Sequence, residues 1–222
     1  MKILALEFSS SPRGVAVLDL EAGLVAEVVD PTAGHTMKPF TMIESALRQT
    51  RLEREEIGCV VVGLGPGSYT GVRAAIALAQ GWQLATGAKL LGVSSAEAVA
   101  AQAQADGITG KFSVVIDAQR EEFYLAEYEI FPDGMREIAP LRLATLAEVR
   151  GRAGAGEPLV GPEVTRWFPK GRLVVPRAVR LGERAATRSD FVAGETLVPI
   201  YLRETQFVKS PAARCLPATP KP

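Results

Sequence analysis

The sequence has little of what metal sites and hydrolytic triads require. Its 222 residues include one histidine, His35, and two cysteines, Cys59 and Cys215. Structural zinc sites take four cysteine or histidine ligands, so no recognisable metal site is expected. A Ser-His-Asp hydrolase would depend on His35, and no Gly-x-Ser-x-Gly motif is present to supply its nucleophile. Cys59 lies in an apolar run and Cys215 in a proline-rich segment, which favours free thiols over a disulfide.

The sequence also lacks a charge excess and a long apolar run at its start. Twenty-five lysines and arginines balance twenty-five acidic residues, so no basic surface for nucleic acid is indicated. Any contact with RNA is therefore expected to be local or indirect. A run of only four apolar residues precedes Glu7, which is too short for a signal peptide or a membrane span. We expect a cytoplasmic protein without a membrane segment.

Hydrophobic residues make up 47% of the chain, enough to bury one large core or two small ones. Apolar runs predict an antiparallel three-stranded meander over residues 2–30. A helix follows over residues 36–51, with Phe40, Ile43 and Leu47 spaced for one buried face. The continuous apolar run at residues 57–65 predicts a strand buried on both faces. A helix from Thr70 to Thr86 and a strand at residues 89–93 then complete a parallel crossover.

A second cycle of similar order follows the helix that begins at Ser94 or Ser95. Residues 105–111 read as a linker, and a strand, an alternating partner strand and a turn at "FPDG" come next. A strand near residues 157–163 and a helix begun by Pro176 are expected beyond it. Two similar halves predict an N-terminal domain of residues 1–106 and a smaller domain of residues 107–203, whose end packs back on the first. Residues 204–222 are expected to form a mobile tail.

The stretch from Val60 to Trp82, "VVVGLGPGSYTGVRAAIALAQGW", has the ingredients of a phosphate site: a buried strand, closely spaced glycines and a helix. The dinucleotide fingerprint fails because Ser68 replaces its third glycine, and the phosphate-loop fingerprint fails because the block has no lysine. We therefore favour a tight structural turn at Pro66 and Gly67, with Ser68 or Thr70 capping the helix.

Five blocks together resemble the bacterial TsaB family, also called YeaZ. They are "ILALEFSSSPRGVAVLD", "VGLGPGSYTGVRAAIALAQGW", "GVSSAEAVA", "VVIDAQREEFYLAEY" and "PIYLRE", and "GPGSYTGVR" is the most specific of them. The resemblance covers nearly the whole chain to about residue 203. It implies a two-domain α/β fold of the actin, Hsp70 and sugar-kinase class, a duplicated ribonuclease H-like arrangement of mixed sheets flanked by helices.

The resemblance also implies a function, the synthesis of N6-threonylcarbamoyladenosine in tRNA. The expected partners are a TsaD-like catalytic subunit and, in a larger complex, a TsaE-like ATPase. A homodimer is an alternative when the chain is alone, and tRNA is expected to be contacted only indirectly. The competing hypothesis is a small enzyme of the same fold, either an ATP-dependent kinase or a glycoprotease-type enzyme.

The nucleotide clamp of this fold class looks degenerate here. The first hairpin carries Glu7, Ser9 and Ser10, and the second follows Asp117 with two glutamates that would repel phosphate. The adenine-binding loop keeps only Gly161. We therefore expect no cofactor and no catalytic residues, although Glu7 and Asp117 remain an alternative acid–base pair across the cleft.

The surface most suited to a partner is expected on the helix of residues 70–86. Val72, Ile76 and Ala79 are spaced as its core stripe, and small residues dominate the opposite face. The resemblance adds the preceding helix. The expected partner-binding residues are Met37, Thr41, Met42, Ser45, Arg73, Ala77, Gln80, Gly81 and Leu84. The alternative is an alanine-rich helix selected only for helix propensity.

Overall fold

The computed structural model describes residues 1–31 and 38–202 in two similar halves. The first half consists of β1 (Lys2–Glu7), β2 (Arg13–Asp19), β3 (Leu24–Asp30), α1 (Pro39–Thr50), β4 (Cys59–Gly63), α2 (Tyr69–Thr86), β5 (Lys89–Val93) and α3 (Ser95–Ala105). The second consists of β6 (Gly110–Asp117), β7 (Glu122–Phe131), β8 (Gly134–Thr145), α4 (Leu146–Gly154), β9 (Leu159–Gly161), α5 (Val164–Trp167), β10 (Arg172–Leu173) and α6 (Ala178–Ala186). Short 3-10 turns lie at Arg54–Glu56 and Gly194–Thr196.

Each half is built on a five-stranded mixed sheet. The strand orders are β3-β2-β1-β4-β5 and β10-β9-β6-β7-β8, so the second sheet repeats the arrangement of the first. In each, three antiparallel strands are extended by two parallel ones, and the first strand of the half lies at the centre. This duplicated order confirms the expected α/β fold class of mixed sheets flanked by helices.

Helices cover both faces of the first sheet. One face packs against α1 and α2 through a cluster that includes Leu4, Leu6, Val60 and Ile76. The opposite face packs against α6 and part of α3, although α6 comes from the far end of the chain. The first sheet is therefore completed by a helix that follows it by more than eighty residues.

The second sheet has two apolar faces as well. Alanines of α3 cover one of them and pack against Phe112, Val114 and Tyr128 of the sheet. The other face packs against α4 and α5 around Phe123 and Phe168. Since α3 contributes to the cores of both sheets, it lies between the two halves.

Most predicted elements are present, but β8, α4, α5 and β10 were not among the predictions, and one helix differs in phase. The helical phase expected for α1 is partly wrong, because Phe40 is 68% exposed while Ile43 and Leu47 are buried as expected. The 12-residue strand β8 was missed, and it lies at the edge of its sheet with Pro140 near a register shift. Proline is tolerated at edges and bulges, where no ladder hydrogen bond is lost.

Several predictions fall outside the described residues. They concern His35, Met37, Cys215, the start of the first helix before residue 38 and the tail at 204–222. Within residues 1–31 and 38–202, no helix combines the length and apolarity needed to span a bilayer. The buried thiol of Cys59 is free.

Candidate functional site

The glycine-rich loop between β4 and α2 is shaped by the hairpin loop that crosses over it. A Cβ atom added at Gly67 would lie 2.1 Å from the carbonyl oxygen of Ser9, and one added at Gly71 would lie 2.1 Å from that of Phe8. The N–H of Ser68 donates a 2.6 Å hydrogen bond to the same Ser9 oxygen. These glycines therefore permit a close backbone approach, which explains them without a phosphate.

The start of α2 is capped as the sequence predicts. The Ser68 hydroxyl accepts a 3.3 Å hydrogen bond from the N–H of Gly71, and Gly87 ends the helix in the left-handed conformation with φ of +74°. Ser68 is thus the N-cap, and the tight-turn interpretation of this loop is confirmed.

Glu7 is a buried structural carboxylate that does not line the cleft. It accepts a 2.7 Å hydrogen bond from the Ser9 N–H and a 2.9 Å hydrogen bond from the Ser95 hydroxyl. Complete burial raises the pKa of Glu7, and the hydrogen bonds from Ser9 and Ser95 oppose that rise. Gly63 leaves space for this carboxylate, since a Cβ there would lie 2.1 Å from its Oε2.

A cleft of about 630 Å³ lies between the first hairpin with the start of α2 on one side and the second hairpin on the other. Its wall in the first half carries Ser9, Ser10 and Ser11 of the first hairpin and Ser68 at the start of α2. Four charged side chains line it: Arg13, Asp117, Glu163 and Arg166. Two positive and two negative charges cancel, so the lining as a whole does not favour a polyanion.

The second hairpin turn has an unusual left-handed backbone. Gln119, Arg120 and Glu121 all have positive φ, between +59° and +64°. Asp117 braces the turn, because its Oδ1 accepts from the Gln119 N–H at 2.7 Å and its Oδ2 accepts from Trp167 Nε1 at 3.2 Å. The carboxylates of Asp117 and Glu7 therefore have separate hydrogen-bond partners, since Glu7 is bonded to Ser9 and Ser95.

Gly161, the remaining glycine of the degenerate adenine loop, has a packing function. A Cβ at this position would lie 1.9 Å from the Val115 carbonyl oxygen, so glycine allows β9 to pass close to β6. Pro162 follows it and lines the cleft without a backbone N–H to offer. Among the described residues, no group of three or more histidine, cysteine or acidic side chains is arranged to hold a metal ion.

The outer face of α2 forms a second candidate site with α1. Arg73, Ala77, Gly81 and Leu84 are exposed, and Leu84 is 89% exposed. A groove of about 670 Å³ runs beside this face. Its lining consists of Phe40, Ile43, Glu44, Arg54, Glu55, Ala77, Leu78, Gly81, Trp82, Ala85 and Thr86. Thr41 is exposed and Ser45 is half-buried on α1.

Three predicted partner residues need correction or a new explanation. Met42 is only 6% exposed and belongs to the core, so it is not available to a partner. Gln80 is half-buried and its Nε2 donates a 2.8 Å hydrogen bond to the Gly194 carbonyl, an internal contact. The guanidinium of Arg73 lies 5.0 Å from the ring centre of Tyr69 and donates to its hydroxyl. This stacking accounts for a positive charge in the first turns of α2 without a partner carboxylate.

Sequence reasoning missed two other features of these surfaces. The sequence analysis assigned Phe40 to the core. Its position in the first turn of α1, directly after Pro39, was the one sequence feature that could have indicated an exposed side chain. Tyr201 stacks on Tyr69 with ring centres 5.7 Å apart, which brings the end of the described chain to the rim of the cleft. No local signal predicts a contact between residues so distant in sequence.

Comparison with known proteins identifies the family. The model of the family described as TsaD, tRNA N6-adenosine threonylcarbamoyltransferase, matches residues 25–202. The tRNA threonylcarbamoyladenosine biosynthesis protein TsaB of Escherichia coli is 27% identical over 220 residues, covering 91% of this chain and 95% of that protein. The chain belongs to the TsaD-related TsaB (YeaZ) family.

Two further members of the TsaB family match. The TsaB protein of Bacillus subtilis is 27% identical over 148 residues, 67% of this chain and 64% of that protein, so less than two thirds of its length is spanned. The YeaZ structure from Pseudomonas aeruginosa superimposes with a TM-score of 0.77 at 25% identity, covering 90% of this chain and 99% of YeaZ.

Proposed function

We propose that the chain is a non-catalytic scaffold subunit in the synthesis of N6-threonylcarbamoyladenosine in tRNA, where it binds and positions a TsaD-like catalytic subunit. The pathway is supported by the E. coli and B. subtilis relatives, both tRNA threonylcarbamoyladenosine biosynthesis proteins. The observation that carries the scaffold role is the exposed apolar face of α1 and α2, where Phe40 and Leu84 are largely solvent-accessible.

That face has the chemistry of a helix-packing surface. Ala77 and Gly81 are exposed one turn apart, and a Cβ added at Gly81 would meet no heavy atom within 4 Å. Small residues allow another helix backbone to approach, while Leu84 and Phe40 supply apolar area that water solvates poorly. The occupant we favour is a helix of the TsaD-like partner, and a second copy of this chain is the alternative occupant.

The cleft supports a non-catalytic role. Its first hairpin includes Pro12, its adenine-side loop includes Pro162, and neither residue can donate a backbone hydrogen bond to phosphate. Glu7 is occupied in the core, and Asp117 braces its own turn. These contacts favour the scaffold hypothesis over the hypothesis of a small ATP-dependent kinase or glycoprotease. In this proposal the ATPase activity belongs to another subunit, the TsaE-like one. In this proposal the chain works in the cytoplasm and meets tRNA only through its partner.

The test is depletion of this protein from its native cell, followed by mass spectrometry of tRNA nucleosides. We expect the content of threonylcarbamoyladenosine to fall and to return when the wild-type chain is supplied. Affinity purification of the chain should also recover a TsaD-like protein. Unchanged modification after depletion would rule out the pathway, whereas restored modification without an associated TsaD-like protein would rule out the scaffold role.

A further inference from the structure

Among the described residues, the two sheets end in four edge strands, and three of these have a feature that blocks an added strand. β10 is only two residues long, and β8 contains Pro140 and shifts register against β7. The outer edge of β5 is already bonded, because the N–H of Val192 donates a 2.9 Å hydrogen bond to the carbonyl oxygen of Leu90. These three edges are therefore protected against pairing with another chain.

The fourth edge strand, β3, has none of these features. It is seven residues long, contains neither proline nor lysine, and pairs with β2 at every position without a register shift. No described strand lies beyond it in the first sheet. A regular edge of this length offers its backbone N–H and C=O groups to another strand. From Leu24 to Val29, the outer edge of β3 can therefore accept one.

On the α6 side of the sheet, the side chains of β3 are apolar near both ends and neutralised in the middle. Val25 and Val29 are 51% and 36% exposed, and they share this face with Glu27. The carboxylate of Glu27 is turned to α6, where it accepts from Arg177 Nε at 3.1 Å and from the Val179 N–H at 3.2 Å. Its side chain is only 10% exposed. An added strand would thus cover two valines without burying an unpaired charge.

We infer that β3 pairs antiparallel with β3 of a second copy of this chain, about a twofold axis at Glu27. This register places Val25 opposite Val29 of the second copy, and Val29 opposite its Val25, so that all four valines are covered. Shifting the register by two residues in either direction would place one valine of each copy opposite a residue beyond the end of the other strand.

Charge and size define the kind of dimer expected. The two Glu27 side chains lie opposite each other at the axis, and each keeps its own Arg177, so self-pairing brings no uncompensated like charges together. A seven-residue strand is about 23 Å long, and pairing along it covers less than the roughly 1,000 Å² of a stable interface. We therefore expect a weak, reversible dimer with a Kd of about 10–100 μM. This edge is separate from the α1–α2 groove, and the inference does not depend on the proposed scaffold role.

Sedimentation equilibrium of the 222-residue chain tests the dimer. Val25→Lys should weaken dimerisation at least about tenfold, because a lysine on an edge strand opposes pairing, and it should melt like wild type from this exposed position. Val198→Lys, at a valine that is 62% exposed outside any strand, is the matched control. Ala77→Arg, on the α2 face, should dimerise like wild type.

Two results would overturn the inference. One is a monomer up to about 1 mM chain, and the other is a dimer that Ala77→Arg abolishes and Val25→Lys does not. If the wild type is monomeric and Val25→Lys weakens binding of the TsaD-like partner, the edge belongs to that partner and not to a second copy.

Disulfide cross-linking tests the register, in a Cys215→Ser background with Cys59 buried. A mixture of the Val25→Cys and Val29→Cys variants should form a covalent dimer under mild oxidation, because opposed positions lie about 5 Å apart. Neither variant should do so alone, since the same position in the two copies is displaced by four residues, about 13 Å along the strands. Equal cross-linking of the mixture and of either variant alone would contradict the antiparallel pairing about Glu27.

Discussion

The N–H of Ser68 donates a 2.6 Å hydrogen bond to the carbonyl oxygen of Ser9, and this bond joins the glycine-rich loop to the first hairpin. The two loops with the strongest resemblance to phosphate-binding elements therefore bind each other. Backbone groups that would face a phosphate are partly used in holding the fold together. Stability is thus the property most directly affected by changes in this loop.

Gly67→Val should destabilise the protein by about 1–3 kcal/mol, because Gly67 has a φ of +149° and its Cβ would meet the Ser9 carbonyl. Urea unfolding measures the difference. Gly151→Ala in α4 is the matched control, since a Cβ there meets nothing within 4 Å. It should gain about 0.5–1 kcal/mol from helix propensity. Equal stability of Gly67→Val and wild type would contradict the close approach.

The isolated chain should not bind Mg-ATP with physiologically useful affinity. Two prolines replace backbone donors in the loops around the cleft, and Asp117 and Glu163 repel phosphate there. Calorimetric titration up to about 1 mM nucleotide is the measurement. A saturable micromolar site that is lost on mutation of cleft residues would disprove this expectation and revive the kinase hypothesis.

Ala77→Arg should weaken association with the TsaD-like partner without unfolding the chain, because the new side chain would fill a close helix contact from an exposed position. Light scattering of the mixed proteins and the melting temperature of the variant are measured together. Ala105→Arg, at an exposed helical alanine of α3, is the control. If both variants assemble like wild type, the interface lies elsewhere.

Glu7→Gln should change the pH dependence of stability. Since the folded pKa of Glu7 is raised, the folded state holds its proton to higher pH than the unfolded state does. Stability contributed by the protonated form is therefore lost as pH rises from the ordinary value of 4.5 toward the folded pKa. Glutamine can keep both contacts, accepting from Ser9 and donating to Ser95.

The variant should consequently gain stability relative to wild type as pH increases above about 4.5, until the difference levels off at the folded pKa. Melting temperatures of both proteins across pH 4–8 provide the comparison. A constant difference over this range would show that Glu7 does not titrate differently in the two states.

Gln83→Leu should cost about 1–3 kcal/mol by leaving the buried N–H of Gly194 unsatisfied. In the wild type this N–H donates to Gln83 Oε1 at 3.0 Å, while Gln80 donates to the carbonyl of the same glycine. Urea unfolding is again the measurement, with Gln104→Leu on the exposed side of α3 as the control. A cost no larger than that of the control would mean that water replaces the lost acceptor.

Local signals predicted local structure well. Ser68 and Gly87 bound α2 because capping depends on neighbouring residues alone. Contacts between segments distant in the sequence could not be predicted from neighbouring residues. Glu7 is buried through a bond to Ser95, and Gly67 is required by Ser9, so neither role follows from the surrounding sequence. Phe40 illustrates the same limit, because its spacing in the sequence matches the buried face of α1 although its side chain is exposed.

The return of α6 to the first sheet has a consequence for synthesis on the ribosome. Leu181 and Ala185 cover Ile3, Leu18 and Val61, and Gly182 allows the approach, since a Cβ there would lie 2.2 Å from Leu18. The nascent chain must emerge past residue 186 before this face is closed, so the apolar strands at its start remain exposed during most of translation. Chaperones that recognise apolar strands would find their binding sites in the first hundred residues.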